Sequence, residues 1–185
     1  MTKYYLPSFQ EGKAIAATTL LLKLSKGICD KYWLNKVMYY LERESLIRMG
    51  QPIFNDSLYS IKYGPIASAV NDGIDNTEYP FDSEWNNFIT LTGKEVRLIT
   101  EADYEIFSEN EYELIVEAYE KFKGWSFNKM KEYFHSLPEH KETNSRIDIE
   151  YLDIFKAAGV DEESIQDSLK TISYFNHFNT VVNCG

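Results

Sequence analysis

The sequence predicts a mainly α protein, a compact multi-helix domain with one small β-hairpin. Three observations lead to this prediction. Apolar residues recur at helical spacing between residues that start and end helices, and aromatic residues make up 15% of the 185-residue chain, which favours a core built of rings. One stretch alone shows the alternation and turn residues of a hairpin.

Two helices are predicted before residue 50. Residues 11–26 carry isoleucine and leucine among Ala and Thr, which indicates a mostly buried helix that stops at Gly27. Asp30 is placed to cap a second helix over residues 31–49, and Gly50 ends it. Because the apolar residues of this helix recur every three or four positions, we expect one of its faces to pack against the core.

The stretch YSIKYGPI at residues 59–66 is the most distinctive in the chain. Its first half alternates apolar and polar residues, which predicts one short strand. Gly64 tolerates unusual backbone angles, and Pro65 suits the first position of a helix. We therefore expect a turn followed by a short helix that ends near Gly73.

The hairpin is predicted around residues 92–94, Thr-Gly-Lys, because two short alternating runs flank this turn sequence. Ser108 and Glu111 have the spacing of a capping box for a helix that reaches Gly124. Three further helices are expected after capping residues: 127–136 after Ser126, 148–158 opened by Asp148, and 162–178 after Asp161.

The chain has a net charge of −10, and the charge is unevenly distributed. Residues 1–70 have a balance of +4 and residues 71–185 a balance of −14. An acidic chain is a poor ligand for nucleic acid, because that affinity depends on neutralising phosphates. The composition therefore favours a basic partner, or serves solubility alone.

The sequence also bears on the compartment. No apolar stretch is long enough to cross a bilayer, and no secretion signal is recognisable. The two cysteines, Cys29 and Cys184, lack metal-ligand spacing, and we expect both to be reduced thiols. These features predict a cytoplasmic protein without a membrane partner.

Two blocks of sequence carry a family resemblance. LNKVMYYLERESLIRMGQPIF (34–54) followed by SIKYGPIASAVND (60–72) resembles the Panacea domain, the SocA-like antitoxin domain of bacterial and phage toxin–antitoxin pairs. The matching positions are Lys36, Val37, Met38, Tyr39 or Tyr40, Gly50, Pro52, Ile53, Phe54, Lys62, Tyr63, Gly64, Pro65 and Ile66.

The second block, KMKEYFHSLPEHKE (129–142), is similar to a later part of the family pattern. His135, Pro138 and Glu139 match that pattern. The block departs from it at Phe134, where the family has Ser or Thr, and at His140, where Trp is usual.

The resemblance implies a Panacea domain over residues 1–142, and we expect residues 143–185 to form a helical extension packed on it. It implies an antitoxin that neutralises a cognate toxin, encoded next to it, by direct protein contact. It also implies no catalysis and no cofactor, and it leaves the toxin and a homo-oligomeric state open. The residues that we expect to have structural roles are Lys36, Tyr40, Lys62, His135 and Pro138.

Tyr63, Gly64 and Pro65 are candidates for contact with the partner. The alternative is a purely structural turn with Tyr63 packed inward, because helix-start chemistry already accounts for the glycine and the proline. Both interpretations stay open on the sequence alone.

Lys36 lies at the border of the apolar stripe of the second helix. One interpretation places its stem along the core and its charged head in water. The other is a buried ion pair with Glu42, Glu44 or an acid of the second half of the chain.

Residues 101–120 contain eight acidic residues and no basic one. On the predicted helix, Glu109, Glu113, Glu117 and Glu120 share one face, where like charges cost roughly 0.2–0.5 kcal/mol per pair. A basic partner would relieve this repulsion. We therefore predict Glu109, Glu113 and Glu117 as partner contacts, with a solvated face as the alternative.

No metal site is predicted. His135, Glu139 and His140 have the spacing H-x-x-x-E-H rather than H-E-x-x-H, and Pro138 breaks the helix between the two histidines. The third histidine, His177, lies in another predicted helix.

No catalytic motif is recognisable either, and we do not expect an enzyme. Two alternatives to the antitoxin stay open. One is a regulator that binds the DNA of its own operon. The other is an enzyme whose carboxylates form no short motif.

Overall fold

The computed structural model describes residues 9–77 and 84–182. Within them the chain forms seven helices: α1 (Glu11–Leu24), α2 (Lys31–Met49), α3 (Ser68–Asn76), α4 (Glu109–Phe122), α5 (Phe127–His135), α6 (Tyr151–Ala157) and α7 (Glu162–Val182). Six strands accompany them: β1 (Ile28–Asp30), β2 (Leu58–Ile61), β3 (Gly64–Ala67), β4 (Ile89–Thr92), β5 (Glu95–Leu98) and β6 (Ile147–Ile149).

The mainly α prediction is confirmed, but the single hairpin is wrong. The strands form two three-stranded antiparallel sheets, with the orders β1-β5-β4 and β3-β2-β6. The predicted hairpin is present as β4 and β5, with Thr92 opposite Glu95. The sequence missed β1 and β6 because each has three residues, too few to show an alternating pattern.

The sequence predicted that Pro65 starts a helix, and this prediction is wrong. It lies in β3, opposite Ser60 of β2. Among the described strands β3 pairs only with β2, so it lies at the edge of its sheet, where a residue without an N–H is tolerated. The helix begins three residues later, at Ser68.

α3 also continues past Gly73, where the sequence predicted its end. The indole of Trp85 packs directly against this glycine, and a Cβ at position 73 would lie 2.3 Å from it. Gly73 thus allows a close approach between helix and ring and does not act as a stop signal.

The helix expected to open at Asp148 begins later as well. Asp148 lies in β6, opposite Tyr59 of β2, and α6 begins after Glu150, whose backbone N–H donates to the carboxylate of Asp153 (3.3 Å). The segment beyond residue 142 therefore contributes a strand to the second sheet. The other predicted caps are confirmed, namely Asp30, Ser108 with Glu111, Ser126 and Asp161.

The two N-terminal helices form the centre of the fold. The nine consecutive residues Ala14–Leu22 of α1 are buried, as the sequence predicted. α2 is covered by α1, α4, α5, α6 and β3, so it is buried on more than the one face expected. Its polar side chains Lys36, Glu42 and Arg43 are therefore buried too. None of the described helices combines the length and apolarity needed to cross a membrane.

Glu42 connects α2 to the loop that follows it. Its carboxylate accepts hydrogen bonds from the backbone N–H groups of Ile53 (2.9 Å), Phe54 (2.8 Å) and Asp56 (2.8 Å). The hydroxyl of Tyr151, at the start of α6, lies 3.1 Å from it. Burial raises the pKa of Glu42 to about 7, and the backbone hydrogen bonds oppose this shift.

Asp56 extends this connection to α3. Its buried carboxylate accepts the N–H groups of Ala69 (2.8 Å) and Val70 (2.9 Å) in the first turn of the helix. The residue at the helix start, Ala67, has no side chain that could cap it, so Asp56 acts as a cap from a distant part of the chain. Burial raises the pKa of Asp56 to about 6.

Replacing Glu42 should test how much the fold depends on this carboxylate. In Glu42→Ala, three backbone N–H groups lose their acceptor in the interior, and we expect the free energy of unfolding to fall by roughly 3 kcal/mol or more. Urea unfolding followed by circular dichroism measures the difference. The control is Glu132→Ala, an exposed helical glutamate, which should change the value by less than about 0.5 kcal/mol. A similarly small change in Glu42→Ala would contradict the prediction.

Candidate partner-binding site

A cleft of about 840 Å³ opens where β1, the start of α2, the turn between β2 and β3, and the start of α5 come together. We call it the Tyr63 cleft. Its wall is largely aromatic and aliphatic, and it includes Tyr32, Trp33, Tyr63, Trp125, Phe127 and Met130.

Tyr63 lies at the edge of this cleft with 49% of its surface exposed. Its carbonyl oxygen accepts the hydroxyl of Tyr32 (3.1 Å), and the ring of Tyr32 packs on Phe127 with centroids 4.5 Å apart. Phe127 is itself 50% exposed, and the ammonium of Lys62 lies over the Tyr63 ring at 5.6 Å. The alternative in which Tyr63 packs inward is therefore wrong.

Gly64 and Pro65, the two other predicted contacts in this turn, are buried. Gly64 has a φ of +94°, and a Cβ there would lie 3.3 Å from both Lys36 Nζ and His135 Cδ2. A larger residue would be strained by the backbone angle and would press on both side chains. Of the three predicted contact residues in the turn, Tyr63 alone offers an exposed side chain.

Lys36 follows neither interpretation made from the sequence. Its side chain is 1% exposed, and its ammonium donates to the carbonyl oxygen of Pro65 at 2.7 Å, with the ring of Tyr32 at 5.2 Å. Within the described part of the chain it has no ion-pair partner, so the expected bond to Glu42 or Glu44 does not form. Burial lowers the pKa of Lys36 to about 7.

The second sequence block also docks on α2. Glu139 is buried, and its carboxylate accepts Arg43 Nε (2.6 Å) and the hydroxyl of Tyr39 (3.0 Å). This ion pair holds the turn after α5, with Pro138 exposed at its surface. The sequence assigned no role to Arg43, and it matched Glu139 to the family pattern without predicting its partner. The pair is hidden in the sequence because its two residues lie 96 positions apart.

Tyr40 has a packing role at a different place. Its ring meets Phe122 edge-on with centroids 4.8 Å apart, and Lys121 Nζ lies 4.5 Å from the ring centre. The same ammonium lies within hydrogen-bond distance of the hydroxyls of Tyr40 (3.1 Å) and Tyr133 (3.0 Å). Tyr40 thus joins α2 to α4 and α5 and does not line the Tyr63 cleft.

The acidic residues of α4 form a second candidate surface. Glu109 and Glu113 are exposed and have no ion pair within the described residues, whereas Glu117 accepts Arg48 Nη1 at 2.6 Å. No α4 residue lines the Tyr63 cleft, so the two predicted contact surfaces are separate. Further acids of residues 101–120 are paired with bases from α1: Glu111 with Lys13 and Glu101 with Lys23.

Cys29 is a poor candidate for a nucleophile. Burial, with a smaller contribution from Asp30, raises the pKa of its thiol to about 12, so the reactive thiolate is scarce at neutral pH. Cys184 lies outside the described residues.

The buried amine of Lys36 should make stability depend on pH. Between pH 7 and about 10.5 the unfolded chain keeps the lysine proton while the folded protein has lost it, so raising the pH favours the folded state. Relative to Lys36→Met, the wild type should gain up to roughly 1.4 kcal/mol of unfolding free energy per pH unit over this range. Urea unfolding at pH 7, 8, 9 and 10 measures it. The exposed Lys62→Met is the control and should run parallel to the wild type, whereas a parallel Lys36→Met curve would refute the expectation.

The comparison with known proteins identifies a family. The family model of the antitoxin SocA-like, Panacea domain matches residues 34–140, more than half of the chain. No curated protein and no solved structure matches the chain significantly. The matched span contains most of α2, the turn between β2 and β3, and most of the second block up to His140, and these parts meet around Gly64. The chain belongs to the SocA-like antitoxin family and carries its Panacea domain.

Proposed function

We propose that this protein is a cytoplasmic antitoxin that neutralises a cognate toxin, encoded next to it, by direct and non-catalytic binding. Its membership of the antitoxin family supports the role. The observation that carries the proposal of direct binding is the exposed aromatic pair Tyr63 and Phe127 at the mouth of the Tyr63 cleft. We also propose residues 1–142 as the antitoxin domain and residues 143–185 as an extension packed on it.

The Tyr63 cleft suits an apolar segment of the toxin. Large aromatic side chains bury much surface and lose few rotamers on binding, so they often dominate the energy of an interface. The backbone beneath Tyr63 is held by the Tyr32 hydroxyl on one side and by Lys36 bound to Pro65 on the other. A rim held in this way loses little conformational entropy when a partner docks.

The acidic surface of α4 suits a basic region of the same toxin. Glu109 and Glu113 carry charges that no described base neutralises, and such charges steer a basic protein during encounter. Glu117 contributes less, because its ion pair with Arg48 would have to open first. Binding would therefore combine an apolar anchor in the cleft with electrostatic attraction at α4.

The ion pairs made by the basic residues of this chain argue against the alternative, a DNA-binding regulator. The net-positive part of the sequence is residues 1–70, and several of its cations already face carboxylates from other elements. The pairs are Lys13 with Glu111, Lys23 with Glu101, Lys31 with Asp75, Arg43 with Glu139, and Arg48 with Glu117. Among the described residues of this part, few cations are left to neutralise phosphates.

The test is to express each neighbouring open reading frame alone and together with this protein. We expect one neighbour to arrest growth, and we expect this protein to restore growth and to co-purify with it. If no neighbour is toxic and none binds, the antitoxin proposal fails.

With that toxin in hand, Tyr63→Ala combined with Phe127→Ala should weaken binding about 30-fold or more, because both aromatic anchors are lost. The dissociation constant is measured by calorimetry. The matched control is Tyr174→Ala with Phe175→Ala, since these two side chains of α7 are 68% and 51% exposed and lie outside the cleft. Equal affinity of the two double variants would reject the cleft as the contact.

Reversing charge on α4 tests the second surface separately. Glu109→Lys with Glu113→Lys should slow association with the toxin about tenfold at low salt, and the difference from wild type should shrink at high salt. Association rates are measured by stopped-flow fluorescence. Glu132→Lys with Asp167→Lys changes the net charge equally on other helices and should have a smaller effect. Identical rates for both variants would assign the effect to overall charge and not to α4.

A further inference from the structure

The structure brings together two histidines and a glutamate that the sequence set apart. His135 is the last residue of α5, and the chain then turns back so that the N–H of His140 donates to the carbonyl oxygen of Leu137 (3.0 Å). The imidazole rings of His135 and His140 lie 4.7 Å apart, and Glu142 follows beside them. Pro138, which argued against a shared helical face, lies in the turn that lets the rings meet.

These three side chains offer ligand atoms at a spacing close to that of a metal site. When one ligand atom is taken from each residue, the three atoms lie within 4.8 Å of one another. Glu142 Oε1 is 2.6 Å from His135 Nδ1 and 4.0 Å from His140 Nε2. Ligands about 2.0–2.2 Å from a tetrahedral zinc ion lie roughly 3.3–3.6 Å apart, between these two distances. The Glu142 side chain is 76% exposed, so it is free to adjust by the small amount required.

A ring nitrogen of His140 supplies an independent indication of a ligand. Its Nε2 atom, 4.0 Å from Glu142 Oε1, is buried and has no hydrogen-bond partner within the described residues, whereas His135 faces Glu142 with its Nδ1. The side chain of His140 is 1% exposed. A buried polar atom without a partner is costly, typically about 1–3 kcal/mol, and a bound cation would satisfy a neutral ring nitrogen.

His140 is also oriented as a metal ligand requires. Its Nδ1 lies 3.2 Å from Ser60 Oγ, and the same oxygen accepts the N–H of Lys141 at 3.0 Å. Ser60 is a buried residue of β2, so it holds the ring in place and leaves Nε2 directed at Glu142. Such an outer hydrogen bond, which fixes the ring and its tautomer, is usual for histidines that bind metal ions.

Charged groups of both signs lie around the cluster of His135, His140 and Glu142. The carboxylates of Glu142 and Glu139 favour a cation, and the buried amine of Lys36, beyond Gly64, opposes one. Lys36 directs its ammonium to the carbonyl oxygen of Pro65, and Arg43 neutralises Glu139. Glu142 is therefore the carboxylate available to the site.

We propose that His135, His140 and Glu142 bind one divalent transition-metal ion of the zinc type, with an open position for water. Two imidazoles and one carboxylate form a donor set that suits zinc, whereas magnesium and calcium prefer oxygen ligands alone. The ion would tie the end of α5 to the turn at residues 139–142 and to β2, directly behind Gly64. The site is independent of the proposed antitoxin function, and its occupancy would stiffen the turn that presents Tyr63.

The test uses the full-length protein, freed of metal with EDTA and dialysed. Titration with ZnCl₂ by calorimetry should show one ion per chain at micromolar affinity, and saturating zinc should raise the Tm by about 5 °C. His140→Gln should weaken zinc binding at least 100-fold, and Glu142→Gln at least tenfold. Magnesium at the same concentrations should neither bind nor raise the Tm.

Two matched controls separate this site from general binding of zinc by histidine and glutamate. His177→Gln removes an exposed histidine of α7, and Glu132→Gln removes an exposed glutamate of α5, so both should bind zinc as the wild type does. The proposal is overturned if the wild type does not bind zinc, or if Glu142→Gln and His140→Gln retain its affinity. It is overturned equally if His177→Gln loses as much affinity as His140→Gln. Glu142 is exposed, so Glu142→Gln should fold normally and keeps the test decisive should His140→Gln misfold.

Discussion

A helix that is covered on almost every side must satisfy its polar side chains within the protein, and this constraint on α2 organises the whole structure. Lys36 donates to the carbonyl oxygen of Pro65, Glu42 accepts three backbone N–H groups of residues 53–56, and Arg43 pairs with Glu139. Each of these buried groups holds a different segment: strand β3, the loop after α2, and the turn after α5. One helix therefore positions three separate segments of the chain.

This arrangement brings together the two sequence blocks that carry the family resemblance. The first block supplies α2 and the turn at Gly64, and the second supplies His135 and the Glu139 turn. The absence of a side chain at Gly64 makes room for Lys36 on one side and His135 on the other. The blocks thus share one packed region, and the exposed ring of Tyr63 lies at its edge. Any partner that binds Tyr63 would contact a surface supported by both blocks.

The acidic composition has a different meaning in three dimensions than along the sequence. Eight acids and no base in residues 101–120 suggested a face of unrelieved repulsion. In the fold, α1 and α2 bring Lys13, Lys23 and Arg48 against this stretch. On the predicted contact face of α4, Glu109 and Glu113 are then the acids without an ion pair to any described residue. The surface available to a basic partner is thus narrower than the sequence indicated and lies apart from the Tyr63 cleft.

The sequence by itself determined the features that depend on neighbouring residues. The caps at Asp30, Ser108 and Ser126, and the hairpin of β4 and β5, follow from local hydrogen bonds and turn geometry. Tertiary structure decided what depends on distant partners. Asp148 became a strand residue because the other edge of β2, far earlier in the chain, pairs with it. Glu139 found Arg43, and His135 met His140, because folding brought separated segments into contact, and no local pattern records such contacts.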